Sequence, residues 1–184
     1  MPLATNISGD LIPLEDCYIL VPVEGLAAGQ NYRLIQFFAL PDISDSKSAA
    51  YNDEPIMGRS FPLKTYSHSE NRVISMQIHM YHRKDEDAQR NLADYRLLQS
   101  VLYPRSHYNA PYAPPPPCKL RCGELLGAGE ICAVLKSCSA KFPTDVPWNE
   151  NFYTPWKFDI DTTWEVVYRS SNLPGQQRIM DFGA

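Results

Sequence analysis

The stretch Trp156-Lys-Phe-Asp-Ile-Asp-Thr-Thr-Trp-Glu-Val-Val-Tyr-Arg169 decides how the rest of the chain is read. Trp156, Phe158, Ile160, Thr162, Trp164, Val166 and Tyr168 alternate with Lys157, Asp159, Asp161, Thr163, Glu165, Val167 and Arg169. Side chains of a β-strand point to opposite faces in turn, so this pattern predicts a strand with one core face and one polar face. Fourteen extended residues would reach roughly 45 Å, more than a small domain needs. Part of the segment is therefore expected to bend or protrude.

Working outward, Ile74, Met76, Ile78 and Met80 alternate with Ser75, Gln77, His79 and Tyr81, which predicts a second strand with its first set on the core face. One helix follows. Asp85 or Asp87 suits its N-cap, and Asp85, Glu86 and Asp87 suit the positive end of its dipole. Ala88, Leu92, Tyr95, Leu98, Val101 and Leu102 share a stripe, and Pro104 ends the helix. Residues 104–117 hold six prolines and read as a stiff connector rather than a groove ligand. Cys118–Cys122 and Ile131–Phe142 are expected to form a hairpin; a turn near Gly127 would set Cys122 opposite Cys132 and Leu120 opposite Val134.

Toward the amino end, Cys17–Val23 and Tyr32–Leu40 are strand candidates joined through Gly25–Gly29. Residues 41–60 and 143–155 read as long loops, the second carrying Trp148, Phe152 and Tyr153, and long loops in compact domains are usually put to use. Residues 1–16 and 170–184 read as arms. The sum is a single α+β domain of long strands, one helix, and extended arms and loops.

Composition narrows the function classes. The chain has 184 residues, 16 prolines, 11% aromatic residues and a net charge of −4 with both signs interspersed. That balance argues against a dedicated nucleic-acid binder, although a pore that lets DNA pass without gripping it needs no basic patch. No apolar run is long enough to span a bilayer, and the first residues lack the pattern of a secretory signal, so no membrane association is expected and the five cysteines are expected to be reduced.

No constellation for catalysis emerges, and the chain is expected not to be an enzyme. His68, His79, His82 and His107 fit no metalloprotease pattern, and His79 and His82 fall on opposite faces of a strand. Cys118 and Cys122 share a face, as do Cys132 and Cys138, but lack the tight spacing of a zinc site and read as small core thiols. A Cys122–Cys132 link would need oxidising conditions. Gly123–Gly129 lacks the Lys-Ser/Thr of a phosphate loop and is a hairpin tip. Asp159, Asp161 and Glu165 read as a solvated polar face. No metal and no cofactor are expected. The surplus lies in arms, aromatic–proline loops and overlong strands, which an assembly of subunits would cover.

Gly58-Arg-Ser-Phe-Pro-Leu-Lys-Thr-Tyr-Ser-His-Ser, the strand Val73–His82, the helix around Asp94-Tyr-Arg-Leu-Leu, the proline run into Cys118-Lys-Leu-Arg, the strand Ile131–Phe142 and Trp164-Glu-Val-Val-Tyr follow one another in order. This order resembles the baseplate and tube-initiator proteins of long-tailed bacteriophages, members of the tail-tube-like family. The resemblance covers residues 56–170, flanked by an N-terminal 1–55 segment that docks to neighbours and a 171–184 arm. It implies two packed antiparallel sheets, partly barrel-like, with the helix at the side. It further implies a structural virion protein, assembled in the bacterial cytoplasm into a hexameric ring around a DNA channel, adjoining tail-tube and baseplate or hub proteins. Subunit-interface candidates are then Ile74, Met76, Ile78, Met80, Trp156, Phe158, Trp164 and Val166. Asp159, Asp161 and Glu165 are lumen candidates, since like charge lets DNA slide. The alternative is a stand-alone module binding carbohydrate or peptide on Trp148, Tyr153 and Trp156.

Overall fold

In the computed structural model, residues 13–23, 32–107, 110–127 and 129–168 are described, with backbone alone for 105–107 and 110–112. The first 12 residues, Gly25–Gly29 and the 171–184 arm lie outside the described residues.

The elements run β1 Cys17–Pro22, β2 Tyr32–Gln36, β3 Asp42–Ser46, β4 Ala49–Glu54, β5 Leu63–Ser69, β6 Val73–Tyr81, α1 Asp85–Val101, β7 Arg105–His107, β8 Ala110–Ala113, β9 Cys118–Cys122, β10 Ile131–Lys141, β11 Trp148–Asn149, β12 Thr154–Pro155 and β13 Lys157–Val166. Seven strands form one antiparallel sheet in the order β2-β1-β9-β10-β13-β6-β3, and β4-β5, β7-β8 and β11-β12 form three small ribbons. The α+β class stands, but the body is one sheet where two packed sheets were expected.

The single sheet builds a core because it curls. Five strand spacings separate β2 from β6, about 24 Å if flat. Yet neighbouring residues of α1 reach both: Asp94 meets Arg33 of β2 at 3.0 Å, and Asn91 donates to the Tyr81 carbonyl of β6 at 2.7 Å. The sheet therefore wraps the helix, and its concave face holds Ile19, Ile35, Ile74, Ile78, Leu120, Phe158, Ile160 and Trp164 around Leu98 and Val101.

The helix stripe is less apolar than the sequence suggests. Asn91 and Asp94 are buried in it, each with a partner, while Leu92 is only half-buried. The N-cap is Lys84 with no side-chain bond, rather than an aspartate. Asp85, Glu86 and Asp87 fall in the first turn, where they still favour the dipole.

Two registers differ from expectation. In the β9–β10 hairpin Ile131 faces Leu120 and Cys132 faces Lys119, because the connection turns earlier, with Gly123 at φ 53° and a Cys122–Glu124 bridge. An odd slip sends a residue to the other face, so Cys132 is exposed while Cys122 is buried. A bulge between Leu135 and Ser137 then inverts the alternation, bringing Cys138 back to the inner face with Ala140.

Candidate assembly surfaces

The segment expected to be a loop at 41–60 is the outgoing half of one long hairpin. Its lower part, β3 with β6, belongs to the sheet; its upper part, β4 with β5, continues the ladder beyond it through the Glu70 amide bonded to the Ser48 carbonyl at 2.9 Å. Every β5 residue and all of β4 except Ala50 are exposed, so both faces of this ribbon stand clear of the body. Its rungs are Tyr51 edge-on to Tyr66 at 5.8 Å and Asp53 paired with Lys64 at 3.0 Å.

The ribbon ends in an apolar tip, where Met57 is 102% and Phe61 80% exposed. Gly58, at φ 86°, supplies the left-handed residue the turn requires, and the Arg59 amide closes it onto the Ile56 carbonyl at 3.1 Å. The base is clamped. Arg72 donates to both Asp45 oxygens at 2.6–3.0 Å and to the Leu126 carbonyl at 3.1 Å, and Asn71 donates to Glu165. The Arg72 guanidinium holds the Asp45 carboxyl below its usual range. A two-stranded ribbon of this kind is marginal alone in water, and here it stands on a clamped base with an exposed apolar tip. Tyr51, Met57, Phe61 and Tyr66 were missed as candidates because polar residues surround them and neither strand of the hairpin carries an alternating apolar face.

A second exposed surface is the 143–156 segment. Asn149 and Asn151 each donate to Asp85, at 2.7 and 2.6 Å, which pins the segment to the first turn of α1 and lowers the Asp85 pKa. Trp156 stacks on His82 at 6.0 Å, and its amide bonds the Pro147 carbonyl at 2.9 Å. His82 is buried with neither ring nitrogen hydrogen-bonded, so desolvation lowers its pKa against the pull of Asp87 and Asp85. Trp148, Tyr153 and Trp156 are all exposed to different degrees, Tyr153 at 81% and with φ 52°.

The convex sheet face is polar. His79 sits between Asp159 at 2.7 Å and Asp42 at 3.5 Å, joining β13, β6 and β3. Asp159, Asp161 and Glu165 all point to this face, as the alternation implied. Glu165 pairs with Lys136 at 2.8 Å and Asp161 is exposed, so much of the acidic charge is offset locally. Among the described residues no group of three or more His, Cys, Asp or Glu is placed to hold a metal, and no helix is long and apolar enough to cross a membrane. His68 is exposed on β5, and the side chain of His107 lies outside the described part.

The eight interface candidates divide differently. Ile74, Met76, Ile78, Met80, Phe158, Trp164 and Val166 are buried in the chain's own core, and only Trp156, 43% exposed, presents surface. The reason is topological: β6 and β13 are interior strands, each paired along both edges, and their apolar face is covered by α1 and the curl of the sheet. Among the described residues, the edges of the main sheet without a partner strand are those of β2 and β3. Residues 1–55, where described, contribute β1, β2 and β3 to the main sheet and β4 to the ribbon. No family model matches the chain, and neither does any curated protein.

Proposed function

We propose that this chain is a non-catalytic structural subunit of a bacteriophage tail or baseplate, assembling with copies of itself into a ring next to tail-tube and hub proteins. The observation that carries the reading is the β4–β5 ribbon, exposed on both faces and apolar at its tip. The first phrase of the tail-tube-like resemblance, residues 58–69, is the tip and returning strand of this ribbon. A curled sheet whose edge strands β2 and β3 have no further partner among the described residues is also a shape that can join its neighbours edge to edge around an axis. In such a ring the convex face with Asp161 would be the candidate for the DNA channel, with Asp159 and Glu165 partly neutralised by their partners.

The test uses the ribbon tip, because Met57 and Phe61 are almost fully exposed. Met57→Asp with Phe61→Asp should leave the unfolding free energy within about 0.5 kcal/mol of the parent. The same pair should shift native mass and negative-stain images from rings to single subunits. A parent chain that stays monomeric at every concentration and beside its neighbouring gene products would end the proposal. Val166→Asp is not a useful substitution for this purpose, since Val166 is core and the chain would unfold.

A second reading has one observation in its favour, the exposure of Trp148, Tyr153 and Trp156 on one segment. A persistent monomer whose tryptophan fluorescence responds to oligosaccharide, and loses that response in Trp148→Ala, would favour it.

A further inference from the structure

Cys17 and Cys122 are directly opposed across the β1–β9 ladder. Their Sγ atoms lie 3.1 Å apart, both residues are buried, and 105 positions of sequence separate them. The Gly123 amide donates to the Asp16 carbonyl at 2.8 Å. In an antiparallel ladder that bond flanks a pair that does not exchange its own hydrogen bonds, and such pairs bring their side chains closest, with Cα atoms about 4.5 Å apart. That separation lies inside the range a disulfide spans. None of the other cysteines meets this geometry, and Cys138 lies opposite Thr162 of β13. Cys118 shares the face of Cys122 but lies four residues along the strand, about 13 Å away. Cys132 points to the convex face, opposite Lys119.

We propose that Cys17 and Cys122 are a modification site: a preformed dithiol that becomes an inter-strand disulfide when the chain meets a small-molecule disulfide. The thiolate of one cysteine attacks the oxidant RS–SR, forming a mixed disulfide and releasing RS⁻, which takes up a proton. The second cysteine gives its proton to solvent and displaces the remaining RS⁻. Two protein thiols are oxidised, and one RS–SR is reduced to two RSH. Burial pushes the Cys122 thiol up to about 12, so the thiolate forms only when the amino-terminal end of β1 lifts from β9. The latch therefore closes slowly in the native domain and quickly when β1 is loosened. Once closed, it ties β1, the strand beside the sheet edge, to the sheet interior.

The test takes the full chain carrying Cys132→Ser and Cys138→Ser, incubates it with oxidised glutathione with and without mild urea, and measures intact mass and a non-reducing peptide map. The expected result is loss of two hydrogens, a peptide joining the segments around Cys17 and Cys122, faster formation in mild urea, and a thermal midpoint raised by roughly 10 °C. Adding Cys17→Ser to this background should replace the link by a glutathione adduct on Cys122; Cys17→Ala is the fallback if serine in the core prevents folding. The proposal is overturned if Cys17 and Cys122 stay alkylatable thiols after mild-urea oxidation. It is also overturned if Cys122 bonds Cys118 instead, or if the linked form melts lower than the reduced one.

Discussion

Replacing Thr162 by valine tests the densest polar contact in the core. Thr162 sits on the concave face of β13, where Trp164 Nε1 donates to its Oγ1 at 2.9 Å and its hydroxyl donates to the Met76 carbonyl at 2.9 Å. Both residues are buried, Trp164 completely. Valine keeps the shape and the β-branch, so no cavity opens. The indole N–H is left without a partner inside the core, which costs about 1–3 kcal/mol, and the Met76 carbonyl loses a donor worth about 0.5–1.5 kcal/mol. A methyl in place of the hydroxyl returns about 0.8 kcal/mol. The net is a loss of about 2 kcal/mol, or a midpoint lowered by roughly 4–8 °C. The decisive assay is a double-mutant cycle by urea unfolding at pH 7 with Trp164→Phe. Phenylalanine has no N–H to strand, so Thr162→Val should cost only about 0.2 kcal/mol in that background, the lost donor to Met76 nearly offset by the methyl. Equal cost in both backgrounds, within about 0.3 kcal/mol, would refute the arrangement.

Asp94 is buried against Arg33, and burial raises its pKa above the usual 3.8 despite the guanidinium. The stability from its protonated form is present below pH 3.8 and lost as pH rises through the raised folded value. Asp94→Asn should therefore be neutral within about 1 kcal/mol at pH 7 and lose less stability than the parent between acid and neutral pH, read by urea midpoints. His82 runs the other way: its folded pKa lies below 6.5, so the unfolded chain protonates first and stability falls as pH drops through 6.5. His82→Phe should remove that loss, measured by comparing midpoints at neutral and mildly acidic pH. Asn149→Ala breaks one of the two bonds to Asp85 and should speed proteolytic cutting within 143–156 several-fold while the β-sheet circular dichroism signal is retained.

Alternation alone placed β6 and the core of β13, because period-two patterning records which face is dry whatever the neighbours are. The inner residues Ile74, Met76, Ile78, Met80, Phe158, Ile160, Thr162, Trp164 and Val166 are all buried, and the helix and its stop at Pro104 follow from local rules in the same way. What covers the dry face is not written in the pattern. An apolar stripe reads the same whether a second copy or the chain's own helix lies against it, which is why Ile74, Met76, Ile78, Met80, Phe158, Trp164 and Val166 were read both as a core face and as interface candidates, and are found in the chain's own core.

The tertiary structure decided the rest through long-range pairing. Two polar stretches at 49–54 and 63–69 became a protruding hairpin because their ladder continues that of β3 and β6 past the main sheet. The β9–β10 register and the bulge at Leu135–Ser137 chose which cysteines face inward. The Cys17–Cys122 pair exists only because β1 returns to β9 across more than half the chain. Sequence determines each strand's two faces, since that is a property of adjacent residues; which strands meet is settled by the total burial of all of them together.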